Sequence, residues 1–334
     1  MGNSNNFSSR IPGYNYIMSK TQARRVIIFV LKLTVSVSIL IWVFHKFNWQ
    51  DLTSVIYAVF TIEFVVAIAL MGIQPIFASF RWHLVLVRLN GYAPAIGRLI
   101  SYYFVGLFVG QILPSTLGGD FVRGHYTYTD RVPLKIVALS IFMERLMSFL
   151  VLLVMAGVSA ILFTVADHQG EVPFQYLALA LFLTCIAFAP FSLPDRLVTW
   201  LDNRPQCQVI AMVIHNGKNL LVSANTWVRI IGFSFLSQSA VLASAFMISQ
   251  SLDLSLSVMA IVTTMPLVML AAMLPISLAG WGVREGTLVF LLAQYGVNSL
   301  QAASMGVMIG LAILAVSLVG FLPWLTNGDA VPPD

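Results

Sequence analysis

Hydrophobic residues run along this chain in long blocks, and polar residues are confined to the gaps between them. Eight apolar segments stand out, over 26–44, 62–80, 98–113, 134–165, 173–192, 227–250, 257–274 and 300–323. Such blocks predict membrane-spanning helices, because ~20 residues at ~1.5 Å rise cross a hydrocarbon core of ~30 Å. Two blocks end at a break. The run to Leu113 stops at Pro114 and Gly118-Gly119, and a short amphipathic piece begins near Asp120. The run to Leu274 stops at Pro275, Gly280 and Gly282, and a short apolar piece follows over 286–295. Proline removes a helical N–H and glycine loosens the backbone. At membrane depth, irregular backbone survives only against protein or a water-filled cavity.

The two breaks resemble each other. Leu113-Pro114-Ser115-Thr116-Leu117-Gly118-Gly119-Asp120-Phe121-Val122-Arg123 aligns without gaps to Leu274-Pro275-Ile276-Ser277-Leu278-Ala279-Gly280-Trp281-Gly282-Val283-Arg284. Leu, Pro, Leu, Gly, Val and Arg coincide, and Thr/Ser and Gly/Ala are near matches. The offset is nearly half the chain. This pattern predicts an internal repeat of the kind found in transporters with broken helices.

Composition agrees with the blocks. Of 334 residues, 59% are hydrophobic and 9% charged, against ~25% charged in an ordinary soluble domain. Mean hydropathy is +0.89. These values exclude a soluble enzyme, a secreted disulfide scaffold and a disordered tail. The expected fold class is an all-α polytopic membrane protein with about six full spans plus two broken or re-entrant hairpins related as an inverted repeat. Residues 1–25 are expected as a disordered cytoplasmic N-terminus, 26–323 as the membrane domain and 324–334 as a short tail. The hydrophilic stretches 1–25 and 194–226 are too short to bury a core of their own. Cys185 and Cys207 point to neither a disulfide nor a metal site. The run from Val26 follows Lys20, Arg24 and Arg25 without a small-residue cleavage site, which predicts an anchor.

The net charge of +5 reads as topology rather than as a nucleic-acid partner. If every segment crosses the bilayer, Arg123, Arg131, Lys135, Arg196, Arg204 and Lys218 fall outside. If each broken segment dips in and returns, these six move inside, together with Arg81 and Arg88. Lys46 alone then lies outside, and Arg145 and Arg284 stay in the membrane. The second arrangement obeys the positive-inside rule, and it places both termini on the cytoplasmic side of the inner membrane. The hairpins then enter from opposite faces, and their tips converge near the midplane.

Ionisable residues at membrane depth are costly and functional by default. Arg284-Glu285 sits in the second break. It reads either as an ion pair that holds the hairpin or as a phosphate ligand, since the planar guanidinium binds phosphate bidentately. Asp120 and Arg123 in the first break take the same two readings. Glu144-Arg145 lies well inside the segment 134–165. Adjacent helical residues point ~100° apart, so each needs another partner; Arg284 with Glu144, or Arg145 with Glu285, are the expected pairs. Arg81-Trp82 ends the second block and reads as an interface anchor. His125 and Asp130 spell an H-x4-D acyltransferase pattern without the catalytic domain such enzymes carry. No nucleotide-binding loop, metal-ligand spacing or nucleophile elbow occurs in the chain, so no cofactor and no metal are expected.

Taken together, Arg81-Trp82, the stretch 113–123, Glu144-Arg145, the stretch 275–285 and Tyr295-Gly296-Val297 resemble the lysylphosphatidylglycerol synthase transmembrane region family, also called flippase-like. The resemblance covers roughly 25–323. It implies a domain that moves an anionic or aminoacylated phospholipid, or a lipid-linked headgroup, between leaflets. It also implies that the separate synthase domain is absent and that phosphatidylglycerol lysyltransferase activity is not expected. Membrane lipids are the implied partners, with a separately encoded lipid synthase or glycosyltransferase beside them, and an oligomer fits as well. Two other classes stand beside the translocase: a membrane enzyme or accessory subunit of lipid-linked glycosyl transfer, and a scaffold that docks a synthase through residues 194–226.

Overall fold

The computed structural model describes residues 56–112, 118–166, 189–204, 206–222, 224–273, 277 and 280–326. The segment 26–44, nearly all of 173–192, the breaks at Pro114 and Pro275, Cys185 and the two termini lie outside the described residues.

Among the described residues the chain is helical and has no strand. The helices are α1 (Ile62–Asn90), α2 (Ile96–Ile112), α3 (Gly118–Thr129), α4 (Leu134–Ala166), α5 (Asp195–Asp202), α6 (Gln208–Val222), α7 (Ala224–Ser251), α8 (Val258–Met273), α9 (Val283–Leu292), α10 (Ser299–Ser317) and α11 (Phe321–Thr326). Among the described residues, four stretches are long and apolar enough to cross a membrane: α1, Leu134–Ser159 of α4, α7, and Ser299–Thr326, which joins α10 to α11.

Helix α1 shows why these blocks suit lipid. Thr61 caps it by accepting the Phe64 N–H, and Gly91 closes it in a left-handed conformation. Ala67, Met71 and Ala78 are buried on one side, while Ile62, Val65 and Val66 are exposed on the other. A helix apolar all round is stable only where both faces meet apolar surroundings. Helix α1 continues to Asn90, well past the apolar block that ends at residue 80, because Leu84, Val85, Leu86 and Val87 extend the same pattern.

The most extensive packing joins α1 to α7. On α7, Ser237, Val241, Ser244, Ala245 and Ile248 form one buried stripe at helical spacing. Ser237 donates to the Gln74 carbonyl at 3.3 Å and Ser244 to the Ala67 carbonyl at 2.8 Å. Small hydroxyl residues let the two backbones approach and bond across the seam. Helix α4 packs against α1, α3 and α8, and α9 packs against α8 and α10. The short helices that follow the two breaks, α3 and α9, thus lie against the long helices α4 and α10.

The stretch 194–226 corrects the sequence expectation. Expected to bury no core of its own, it holds α5 and α6, which pack as a helical hairpin. Val198, Ala211 and Ile214 form a small buried cluster of their own, with Leu193 and Leu201 against it. Its apolar residues recur at helical spacing within a polar segment, so a window average hides them. Lys218 donates to Asp195 at 2.7 Å and holds that carboxylate below its ordinary pKa.

Candidate functional site

Arg81 and Trp82 lie about two-thirds of the way along α1, in the second turn after Pro75. Proline has no N–H to give the helix, and the Ser79 hydroxyl donates to the Pro75 carbonyl at 2.7 Å. Both residues are fully enclosed, which corrects their assignment as an interface anchor. The reason is local: the helix runs on beyond them, and two other helices supply partners. Trp82 Nε1 donates to Ser140 Oγ of α4 at 2.9 Å. Arg81 donates to Ser234 Oγ of α7 at 3.1 Å and forms an ion pair with Glu144 of α4.

Glu144 is the hub. Its Oε1 takes Arg81 and its Oε2 takes Arg123 Nη2 of α3 at 2.9 Å. Arg123 also reaches Asp120, one turn earlier on α3, through Nε at 2.9 Å and Nη2 at 2.7 Å. The second oxygen of Asp120 accepts from Arg145. Charges therefore alternate along one chain, Arg81, Glu144, Arg123, Asp120, Arg145, and the chain ties α1, α3 and α4 together. The Arg123 guanidinium lies 4.7 Å from the Trp82 ring centroid and 4.6 Å from that of Tyr103. Such cation–π contacts contribute about 0.5–2 kcal/mol each. Arg81 Nε and Arg123 Nη1 are buried without a hydrogen-bond acceptor among the described residues.

Glu144 and Arg145 do not pair with each other in this chain, as their spacing predicts. The partners differ from those expected. Glu144 meets Arg81 and Arg123 rather than Arg284, and Arg145 meets Asp120 rather than Glu285. Helical periodicity gives the face of a residue but not the identity of the neighbouring helix. Arg81 and Arg123 are also not cytoplasmic loop charges, because both are buried within this chain of ion pairs.

Arg284 and Glu285 pair with each other. Arg284 donates to Glu285 Oε1 through Nη2 at 2.6 Å and Nε at 3.0 Å. Glu285 Oε2 accepts the Gly282 N–H at 2.6 Å. That contact satisfies a free donor at the start of α9 and sets a carboxylate at the positive end of the helix. Gly280 and Gly282 have φ of 80° and 86°, a left-handed backbone that glycine adopts without cost. The turn they make folds Trp281 back, and the Arg284 guanidinium lies 4.8 Å from its ring centroid.

Close backbone approach holds both hairpins. Gly119 of α3 sits against the Gly106 carbonyl of α2, and a Cβ at residue 119 would collide with it. On α10, Gly306 faces Glu285, and Gly310 faces Arg284 and the Trp281 ring. Sequence reasoning missed Gly306 and Gly310. Their signal is the small-residue spacing Ala302, Gly306, Gly310, one helical turn apart at each step.

A cavity of about 390 Å³ joins the two breaks. Asp120 and Arg123 of α3, Glu144 and Arg145 of α4, and Arg284 of α9 line it. Gln74, Gln111, Ser148 and Gln238 add polar groups. Met71, Met265, Met269 and Met273 supply a soft apolar wall, a surface that adapts to irregular apolar partners. His125 and Asp130 are not on this cavity. His125 is exposed, and Asp130 accepts from Arg98 at 3.0 Å and Tyr102 at 2.8 Å.

The family profile described as lysylphosphatidylglycerol synthase TM region matches residues 29–320. No curated protein matches the chain. The match spans most of the sequence and includes both broken motifs and every cavity residue named above. The chain belongs to the lysylphosphatidylglycerol synthase TM region family, and it is a membrane protein of that family.

Proposed function

We propose that this chain is a lipid translocase, which takes an anionic phospholipid headgroup into the central cavity and passes it between leaflets of the inner membrane. One observation carries the reading: a single cavity joins charged groups from both broken motifs to a methionine-rich wall. An amphiphile needs both surfaces, one for its phosphate and one for its chains. Four arginines (Arg81, Arg123, Arg145 and Arg284) face three carboxylates (Asp120, Glu144 and Glu285) around this site. The excess of one positive charge suits a phosphodiester, which carries one negative charge.

The two motifs are read as an inverted repeat of re-entrant hairpins, with about six full spans beside them and both termini cytoplasmic. The packing on either side of the breaks supports this. Helix α3 lies against α2 and α9 lies against α8, so each short helix turns back onto the helix before its break. Small movements of the hairpins then open the cavity to one face at a time. Reporter fusions after Asn90 and after Asp253 test the sidedness, and the hairpin arrangement requires a cytoplasmic signal at the first and an external signal at the second.

The transport test uses proteoliposomes with fluorescent phosphatidylglycerol and a membrane-impermeant quencher. Wild-type protein accelerates exchange between leaflets, and Arg284→Ala abolishes it. A paired Arg284→Ala/Glu285→Ala variant separates two roles. If Arg284 only holds the hairpin against Glu285, removing both charges restores exchange. If it binds the headgroup, the double variant stays inactive. Normal exchange in folded Arg284→Ala removes Arg284 from the site.

A further inference from the structure

The ion pairs around the cavity are unequal in their access to it. Side-chain exposure is 1% and 3% for Arg81 and Glu144, 4% for Arg123, and 6% and 0% for Arg284 and Glu285. It rises to 14% for Asp120 and 36% for Arg145. Asp120 and Arg145 are therefore the most accessible members of the cluster, and both line the cavity.

We propose that the lipid phosphodiester seats on Arg145 by exchanging with the Asp120 carboxylate, and that Asp120 thereby sets which headgroups are admitted; this rests on the headgroup-binding reading above. Exchange is feasible here and not elsewhere in the cluster. Asp120 already accepts two bonds from Arg123, through Nε and Nη2. When a phosphate takes Arg145, Asp120 keeps Arg123, and no carboxylate is stranded. Displacing Glu144 instead would strip a fully buried carboxylate of its arginines, a change that buried charges resist. Arg123 itself lines the cavity beside Asp120 and Arg145, and its Nη1 is buried without an acceptor among the described residues. The guanidinium of Arg145 matches two phosphate oxygens at once.

The seat therefore takes one negative charge in place of one carboxylate. A headgroup of net charge minus one fits. A phosphomonoester brings a second negative charge, which Asp120 opposes at close range. Asp120 is a specificity residue in this scheme: a fixed anion that tolerates a phosphodiester and rejects a dianion.

The first test needs no variant. Wild-type protein is placed in nanodiscs of phosphatidylcholine with or without phosphatidylglycerol, and arginine modification by phenylglyoxal is followed by mass spectrometry. Phosphatidylglycerol should slow modification of Arg145 about tenfold, the effect of one charge-assisted hydrogen-bonded contact. Equal rates in nanodiscs whose phosphatidylglycerol is retained by the protein would overturn the seat while leaving the headgroup reading intact. If no phosphatidylglycerol is retained at all, the headgroup reading itself fails. Protection reproduced by soluble glycerophosphoglycerol at equal concentration would overturn a lipid as the source of the phosphodiester. The second test compares retention of phosphatidylglycerol and phosphatidic acid by wild type and Asp120→Asn. The variant should shift the ratio about tenfold toward phosphatidic acid, because the opposing charge is gone. An unchanged ratio in folded Asp120→Asn would show that Asp120 does not set specificity.

Discussion

Glu144 and Arg145 are neighbours in sequence with opposite consequences for stability. Glu144 is buried and neutralises two arginines, so Glu144→Gln leaves the buried Arg81 without its counter-charge. Breaking such a pair typically costs about 3–5 kcal/mol. Arg145 is a third exposed, and Arg145→Gln should cost less than about 1 kcal/mol. Thermal unfolding of both variants in the same mild detergent checks the contrast, and equal losses would mean that Glu144 is not the hub. The sequence put Asp120, Glu144, Arg145, Arg284 and Glu285 in a break or mid-segment but counted Arg81 and Arg123 among the cytoplasmic charges, so only part of the candidate site was legible from charge alone. Its wiring was not. Arg81 looked like the end of a block because Arg81 and His83 interrupt the apolar run, yet the helix continues and the charge turns inward to Glu144. No periodicity links residues on α1 and α4 that lie sixty-three positions apart.

At the scale of elements, the hairpins depend on absent side chains. Gly119→Val places branched carbons in the Gly106 carbonyl, with backbone on both sides and no flexible atom to yield. Gly310→Val drives into Arg284 and the Trp281 ring. Overpacking of this kind costs about 1–3 kcal/mol and shifts backbone. Both variants should lose thermal stability and lipid exchange together, whereas Gly97→Ala, which meets no neighbour within 4 Å, should lose neither. Proteoliposome exchange beside thermal unfolding separates these outcomes. The breaks and their likeness were readable in the sequence, because proline and glycine mark them plainly. The receiving surface on α10 was not read, since glycines inside a long apolar block leave its hydropathy unchanged. The α5–α6 hairpin was hidden for a related reason: its few buried residues are diluted by polar ones on the outer face.

For the whole molecule, sequence gave the all-helical class and the membrane setting, because hydropathy is a property of segments and needs no knowledge of contacts. The arrangement of helices around the cavity needs those contacts. The pairing of Arg81 with Glu144 also bears on how the protein is made. Helix α1 leaves the ribosome well before α4, so during synthesis Arg81 has no counter-charge. An arginine within a lone helix costs up to about 2.5–3.5 kcal/mol to insert. Helix α1 therefore gains from waiting in the translocation channel until α4 arrives, and the two enter lipid as a unit. Nascent chains truncated before residue 144 should integrate α1 less completely than chains extended through α4, and Arg81→Leu should abolish the difference. Glycosylation mapping of the stalled chains reads this directly. A charge pair that shapes the finished cavity would then also act as a checkpoint in its biogenesis.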